Sequence, residues 1–291
     1  MVINKHGSFY MRSGWGTKII QAIETDNMIF SPSKEQDAVD RIGLGRVMIK
    51  ALRYWSYASG LTIEEKVRGG ITERKTPLFE LIEANDRYFQ KRGSLLLLHR
   101  NIALNKENAT AWYWAFNELD KKTFTKEEFV EQLHLYLAVN EMSIKKAAVD
   151  KEFNCFKNTY LAEKKIDVET VMDEDTYPFF GPLHLIRINE ERKFEKSYLT
   201  KDEMPLQILI YAIARDNIEE SEHRGQISID KLMEEKRQIG KYYPMRYTKL
   251  IDMLLEAENK KLLSLNNNFG NRFIEFSDFE YNSLLHEYYM E

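Results

Sequence analysis

The chain has 291 residues, of which 43% are apolar and 30% charged, a composition typical of a folded globular protein. No apolar run approaches the length of a membrane-spanning helix, and the first residues lack the apolar segment of a secretory signal, so we expect a cytoplasmic protein. The single cysteine, Cys155, excludes an intramolecular disulfide framework and a zinc site built from several thiolates.

Charge is distributed unevenly along the chain. The formal net charge is −4, yet residues 1–100 carry 16 Lys and Arg against 11 Asp and Glu. A local excess of cations is typical of a surface that binds nucleic acid, although a solvated charged surface gives the same count.

The first structured segment predicts a helix, a tight turn, a second helix and a hairpin. A helix is expected from about Lys34 to Ile42, broken by the sequence GLG, and a second helix from Arg46 to about Ser59. Gly69-Gly70 lies between β-branched residues and predicts a two-residue hairpin turn. This is the element order of a winged helix-turn-helix.

The same order recurs twice, more loosely. A helix from Lys126, a break near Asn140 and a second helix after Ser143 form the middle example. Near the C-terminus Pro244 opens a predicted helix, and LLSL-NNNFGN-RFIEF predicts a hairpin with a polar tip.

The predicted fold class is therefore mainly α with short β-hairpins, organised as tandem winged helix-turn-helix-like units. We expect an N-terminal DNA-binding unit in residues 1–100, a central unit in 101–200 and a C-terminal unit in 201–291.

The glycine turn Gly43-Leu44-Gly45 has two readings, a phosphate-binding loop or a corner between helices. A dinucleotide fingerprint follows a buried strand, whereas the preceding residues DAVDRI are charged and helical. The Walker pattern G-x-x-x-x-G-K-[ST] does not occur. The pattern favours a corner.

The helix after this turn carries the main DNA-binding prediction. At 100° per residue, Arg46, Lys50, Arg53 and Tyr57 lie on one face, opposite large apolar side chains. Such a face can neutralise phosphates or reach base edges in the major groove. Arg68, in the predicted wing, is expected to assist.

Five further side chains are weaker candidates for contact with DNA. His6, Arg12 and Lys18 belong to a segment in which polar and aromatic residues recur every three positions. Arg246 and Lys249 begin the C-terminal helix. The alternative for the N-terminal segment is that its aromatic side chains pack while its charged groups remain in solvent. The alternative for the C-terminal group is an ordinary solvent-exposed surface.

No catalytic or metal-binding constellation is assigned from the residues. The histidines lack the spacing of a helical zinc site, and Cys155, in an apolar helix, is expected to be a buried thiol. Asp173, Glu174 and Asp175 form the densest acidic cluster. Glu64-x-Lys66 resembles the end of a nuclease signature without its upstream proline-aspartate element.

Several segments resemble a bacterial family long labelled as of unknown function. They are H-x-x-F-x-x-R-x-x-W-x-x-K (His6 to Lys18), IGLGRVMIKALRYW, NATAWYWAFNEL, NCFKNTY and DEDTYPFFGPLHLI. The family is encoded with PAPS-reductase-like sulfurtransferases and cysteine desulfurases in DNA phosphorothioation clusters, and is similar to the B, nicking, component of Ssp-type systems. Its pattern at the turn often reads G-x-G-K-N, where this chain has Arg46-Val47.

The resemblance implies a role in DNA modification and anti-phage defence, with three alternatives. The first is a DNA-binding component of a phosphorothioation system. The second is a DNA-nicking endonuclease that requires Mg²⁺ or Mn²⁺. The third is a non-enzymatic adaptor that docks a sulfurtransferase, cysteine desulfurase or ATPase. The resemblance carries no catalytic residue onto a position of this chain.

Overall fold

The computed structural model describes residues 1–161, 177–218, 226–268, 271–278 and 280–291. The acidic cluster Asp173–Asp175 predicted from the sequence lies outside these residues, as does the hairpin tip at Phe269 and Gly270. The described residues are mainly helical, with small antiparallel sheets, as the sequence predicts.

The described helices are α1 (Trp15–Thr25), α2 (Glu35–Ile42), α3 (Arg46–Ala58), α4 (Pro77–Asn85), α5 (Arg92–Leu104), α6 (Thr110–Asn117), α7 (Lys126–Val139), α8 (Lys146–Tyr160), α9 (Leu206–Ile218), α10 (Ile229–Glu234), α11 (Ile239–Tyr242), α12 (Tyr247–Asn259) and α13 (Ser283–Met290). The described strands are β1 (Thr62–Val67), β2 (Gly70–Lys75), β3 (Thr123–Phe124), β4 (Ile186–Ile188), β5 (Phe194–Lys196), β6 (Ile227–Ser228), β7 (Leu263–Asn268) and β8 (Asn271–Phe276).

The strands form three small antiparallel arrangements. β1 pairs with β2 as a hairpin, β5 lies between β3 and β4, and β8 lies between β6 and β7. Both hairpins predicted from the sequence are confirmed, but the turn between β1 and β2 is Arg68-Gly69 and not Gly69-Gly70, because Val67 pairs with Gly70. None of the described helices combines the length and the apolar character that crossing a bilayer requires.

The chain packs into two compact units. One consists of Met1–Ala115 and Lys121–Glu195, the other of Phe116–Asp120 and Lys196–Glu291. This division differs from the three consecutive units predicted from the sequence.

An aromatic core explains why the first two predicted units form a single body. The Trp112 ring lies 5.2 Å from that of Trp55 and 6.0 Å from that of Phe156, measured between centroids. Residues from the first and the second predicted units therefore bury one another, and the Trp55–Trp112 contact has the edge-to-face geometry that aromatic rings prefer.

The second unit has its own core. Helix α9 is buried along nearly its whole length and packs against α11, α12 and α13. Tyr242 and Tyr243, at the end of α11, are fully buried beside one another.

Local signals set the helix boundaries. Thr125 caps α7 in a reciprocal pair with Glu128, and Thr76 caps α4, whose first residue is Pro77. The last predicted helix begins three residues later than Pro244, because α12 starts at Tyr247.

Candidate nucleic-acid interface

The glycine turn joins two helices, as the sequence predicts. Gly43 ends α2 with φ +70°, a left-handed conformation that glycine adopts without strain, and Gly45 precedes α3 in an extended conformation. Lys18 Nζ donates a hydrogen bond of 3.1 Å to the carbonyl of Ile42 at the C-terminus of α2. The turn is a corner between α2 and α3.

Helix α3 is anchored by its apolar face. Ile49, Leu52 and Trp55 are buried, and Trp55 Nε1 donates a hydrogen bond of 2.9 Å to the carbonyl of Phe9. This anchoring fixes which side of α3 faces solvent.

Two of the predicted DNA contacts, Arg46 and Lys50, project from the first half of α3. Their side chains are 65% and 69% exposed. Glu35 lies beside both, with its carboxylate 2.9 Å from Lys50 Nζ and 4.0 Å from Arg46 Nε. The hydrogen bond from Lys50 lowers the pKa of Glu35, so this carboxylate stays ionised and partly neutralises the cations.

Arg53, one turn further along α3, forms an ion pair with the hairpin and is less exposed. Its Nε donates a hydrogen bond of 2.6 Å to Glu64 Oε2 on β1, and its side chain is only 27% exposed. That hydrogen bond raises the pKa of Arg53. Tyr57 is half-buried, and burial raises its pKa to about 12. The outward stripe predicted from helical periodicity is therefore fully exposed only in its first half.

The hairpin contributes a buried carboxylate on the same side as Glu64. Glu64 on β1 pairs directly with Glu73 on β2, and Glu73 is only 1% exposed. Thr62 Oγ1 donates a hydrogen bond of 2.6 Å to Glu73 Oε2. Burial raises the pKa of Glu73 to about 7, and the charge of Glu64 adds to this rise. Arg68 lies at the exposed tip of the hairpin.

The sequence interpretation missed the roles of Glu35, Glu64 and Glu73 in this surface. In the sequence, Glu64 is marked only by its spacing from Lys66, and no local signal distinguishes Glu73 from an exposed strand residue. Strand alternation after Gly70 could have placed Glu64 and Glu73 on one face of the hairpin, because cross-strand partners share a face.

His6 is not available as a DNA contact, which corrects the expectation from the sequence. It is fully buried, and its Nε2 lies 2.9 Å from Glu152 Oε2. Its ring packs among those of Tyr54, Trp55 and Trp112. The physical reason is that the N-terminal segment inserts His6 into the aromatic core instead of lying on the surface.

Arg12 and Lys18 are both partly buried and have local structural roles. The Arg12 guanidinium lies 5.2 Å from the ring centroid of Tyr10 and 5.8 Å from that of Trp15. Lys18 contacts the C-terminus of α2, where a cation is favourable, and lines a cavity of about 260 Å³ together with Arg41.

In the second unit, Arg246 and Lys249 lie at the start of α12. Arg246 is exposed, with its guanidinium 5.9 Å from the ring centroid of Tyr198. Lys249 Nζ is 3.7 Å from Asp252. They belong to a different unit from α3.

No three His, Cys, Asp or Glu side chains among the described residues come together as a metal-binding group. Cys155 is buried as predicted, and burial raises the pKa of its thiol well above the usual range. A thiol in this environment is a poor nucleophile and a poor sulfur carrier.

Comparisons with known proteins place this chain in a family. No curated protein matches it. The fold is similar to a structure described as "SspB crystal structure", with a TM-score of 0.85 and 24% identity over 99% of this chain and 88% of that chain. It is also similar to a "Magnesium ion-bound SspB crystal structure", with a TM-score of 0.83 and 23% identity over the same shares. The model of the family described as "Protein of unknown function (DUF4007)" matches residues 3–289, and the chain therefore belongs to that family.

Proposed function

We propose that this protein is the DNA-binding component of a bacterial DNA phosphorothioation system of the Ssp type. The likeness of its fold to SspB and the sequence blocks of the phosphorothioation-associated family support this setting. The observation that carries DNA binding is the exposed pair of cations, Arg46 and Lys50, on a helix that follows a tight turn and precedes a hairpin.

In this proposal α2, α3 and the β1–β2 hairpin act as a winged helix-turn-helix. Helix α3 lies in the major groove, and the hairpin with Arg68 at its tip lies along the backbone. Arg46 and Lys50 have long, exposed side chains, which suits them to contacts with phosphates.

Affinity in this arrangement comes from released counterions. Each phosphate that a cation neutralises steepens the dependence of log K on log salt by about 0.9. Glu35 and Glu64 limit this gain, because they compete with phosphate for the same cations. We therefore expect moderate, strongly salt-dependent affinity for duplex DNA.

The test is fluorescence anisotropy with a duplex oligonucleotide over a range of salt concentrations, in EDTA. The triple change Arg46→Ala, Lys50→Ala, Arg53→Ala should lower affinity at least tenfold at low salt and reduce the salt slope by up to about 2.7. The matched control removes three paired, surface cations from another part of the same unit: Lys121→Ala, Arg187→Ala, Lys193→Ala.

The outcomes separate the alternatives. Equal weakening by both triple variants would mean that overall charge, and not α3, governs binding. An unmodified protein that binds no DNA would instead favour the adaptor that docks a sulfurtransferase, cysteine desulfurase or ATPase.

Metal-dependent nicking of DNA is a second candidate function. The description of one similar structure as magnesium ion-bound favours it, although that description concerns that protein. Supercoiled plasmid incubated with Mg²⁺, Mn²⁺ or EDTA tests it, because a single-strand break converts the plasmid into open circles.

A further inference from the structure

A cavity of about 260 Å³ lies between helices α1 and α2 in the first unit. Helix α1 lines it with Lys18, Gln21, Ala22 and Thr25. The last three follow Lys18 at the intervals that repeat along one face of a helix, so all four side chains share that face. Because a helix and not a loop carries them, their spacing is fixed before any ligand arrives.

The cavity is lined by two cations and, among the described residues, by no carboxylate. Lys18 from α1 and Arg41 from α2 are the cations. Two acidic side chains interact with Arg41 without lining the cavity. They are Asp37, which is paired with Arg41, and Asp26, which is paired with Lys34. A concave site that collects charge of one sign attracts a ligand of the other sign.

Both cations keep hydrogen-bond donors for a ligand. The ammonium of Lys18 has three N–H groups and donates one of them, to the Ile42 carbonyl at 3.1 Å. Arg41 donates its Nε to Asp37 Oδ1 at 2.7 Å, and its two Nη atoms have no partner among the described residues. The side-chain amide of Gln21 likewise has none in that part of the chain. The cavity therefore presents donors from three side chains to one anion.

The apolar part of the lining and the volume limit what the ligand can be. Ile29 and Ile42 are 1% and 8% exposed and form an apolar wall. A cavity of about 260 Å³ is larger than a bare phosphate requires and lies just below the roughly 300 Å³ at which pockets for drug-sized ligands begin. A ligand that fills it combines a phosphate with one small organic group.

We propose that this cavity binds a small phosphate monoester, up to the size of a mononucleotide. Its phosphate contacts Lys18 and Arg41, whose guanidinium can hold two oxygens at once. Its organic group packs against Ile29 and Ile42, and Gln21 donates to a polar edge of that group. A monoester carries about −1.5 to −2 charges at pH 7, so it matches two cations better than the singly charged phosphodiester within a DNA strand. Binding of the monoester does not depend on the proposed DNA-binding function.

The binding test uses the full-length protein without DNA, by isothermal titration calorimetry at low salt in EDTA. Adenosine 5′-monophosphate is the probe, and we expect a Kd below about 1 mM. Adenosine lacks the phosphate and should bind at least about tenfold more weakly, because it cannot make the charge-assisted hydrogen bonds. Inorganic phosphate should compete with the probe.

Two variants remove the phosphate contacts and a third fills the cavity. Arg41→Gln and Lys18→Met should each weaken binding of the probe by about tenfold or more. Lys18→Met also uncovers the Ile42 carbonyl at the end of α2, whose partial negative charge repels an anion. Ala22→Leu keeps every charge and should abolish binding, because the larger side chain occupies the space of the ligand.

The matched control is Arg74→Gln. Arg74 is 56% exposed and donates its Nε to Glu65 at 2.7 Å, just as Arg41, which is 51% exposed, donates to Asp37. Arg74 lies on β2 and does not line the cavity. Its replacement should leave binding of the probe unchanged.

The proposal is overturned by a Kd of the probe above about 1 mM. Equal weakening by Arg41→Gln and Arg74→Gln would also overturn it, since surface charge alone would then account for binding. Binding that survives Ala22→Leu would place the probe outside the cavity. If Lys18→Met fails to fold, Arg41→Gln and Ala22→Leu still decide the question.

A second comparison identifies the source of the phosphate, which is either a free small molecule or the end of a DNA strand. Fluorescence anisotropy compares two duplexes of one sequence, one with a 5′-phosphate and one with a 5′-hydroxyl. A preference for the phosphate that is lost in Arg41→Gln and Ala22→Leu would assign the site to DNA ends. Probe binding without that preference would assign it to a free small molecule. If the probe binds and no DNA does, only the proposed DNA-binding function fails.

Discussion

Arg53 on helix α3 donates a hydrogen bond of 2.6 Å from Nε to Glu64 Oε2 on strand β1. The two side chains are 27% and 25% exposed, so this ion pair lies at the partly buried junction between the helix and the hairpin. It joins the predicted DNA-binding helix to the predicted wing, together with a hydrogen bond of 3.2 Å from the Thr62 hydroxyl on β1 to the Ser56 hydroxyl on α3.

This ion pair should contribute measurably to stability. We expect Arg53→Ala to lower the free energy of unfolding by about 1–2 kcal/mol, because it leaves Glu64 beside Glu73 without a cation. Adding Glu64→Gln should restore part of the loss. A double-mutant cycle by urea denaturation should give a coupling energy of about 1 kcal/mol, and strict additivity would contradict the pairing.

Glu35 should weaken DNA binding. Its carboxylate lies 2.9 Å from Lys50 Nζ, so it repels an approaching phosphate and occupies the cation. Glu35→Gln should raise affinity for duplex DNA about threefold at low salt, with the effect vanishing as salt screens the charge. The control is Asp37→Asn, which removes a charge of the same helix paired to Arg41. Equal gains in both variants would show that the effect is one of net charge alone.

The buried pair of His6 and Glu152 should be a stability determinant. His6 Nδ1 accepts from the amide of Ser8 at 3.1 Å, so Nε2 carries the proton and donates to Glu152 at 2.9 Å. His6→Ala should lower the free energy of unfolding by about 3 kcal/mol, since it leaves a cavity and removes one of the two donors to the buried carboxylate of Glu152, the other being the amide of Asn4 at 2.7 Å. DNA affinity of the folded variant should be unchanged. A selective loss of DNA affinity would restore the original expectation for His6.

Lys196 should make the stability of the second unit depend on pH. Burial lowers its pKa from 10.5 to about 7, and the charge of Lys241 adds to this lowering. Between these values the unfolded chain binds more protons than the folded one, so the free energy of unfolding rises from pH 7 towards pH 10.5. Lys196→Met should remove this rise and stabilise the protein at pH 7 by about 1–2 kcal/mol. Urea denaturation of the unmodified protein and of Lys196→Met at pH 7 and pH 9.5 tests this prediction. The same rise in the free energy of unfolding in both proteins would contradict it.

Cys155 should be chemically inert in the folded protein. It is buried in α8, and Thr159 donates its hydroxyl to the carbonyl of Cys155 at 2.8 Å within the same helix. A disulfide reagent should label it at least a hundredfold more slowly in buffer than in denaturant, because the thiolate is both rare and inaccessible. Rapid labelling of the native protein would reopen a role in sulfur transfer.

Local sequence was sufficient to predict the elements around the proposed interface. Gly43 ends α2 and Gly45 precedes α3, while Gly69 and Gly70 indicate the β1–β2 hairpin, whose two turn residues are Arg68 and Gly69. These features depend on the backbone preferences of a few neighbouring residues, which a sequence states directly. Burial of Cys155 was predictable for a related reason, because its helix shows a continuous apolar stripe.

The sequence did not determine which cations of α3 stay exposed. Helical periodicity placed Arg46, Lys50, Arg53 and Tyr57 on one face, and angles around a helix are all that periodicity supplies. Arg53 instead forms an ion pair with Glu64, which lies eleven residues further along the chain on the β1–β2 hairpin. Which partner a side chain meets depends on how separate elements pack.

Tertiary packing likewise decided the number of units and the fate of the N-terminal segment. Trp55, Trp112 and Phe156 come from distant parts of the chain and form one aromatic core, so the first two predicted units become one. His6 is buried in the same core. On the hairpin, the pairing of β1 with β2 places the buried Glu73 opposite Glu64. The sequence by itself determined helices α2, α3, α7 and α8 and the two hairpins, because those follow from contacts between near neighbours. Only the tertiary structure decided which charges are exposed, paired or buried, because that depends on residues far apart in the chain.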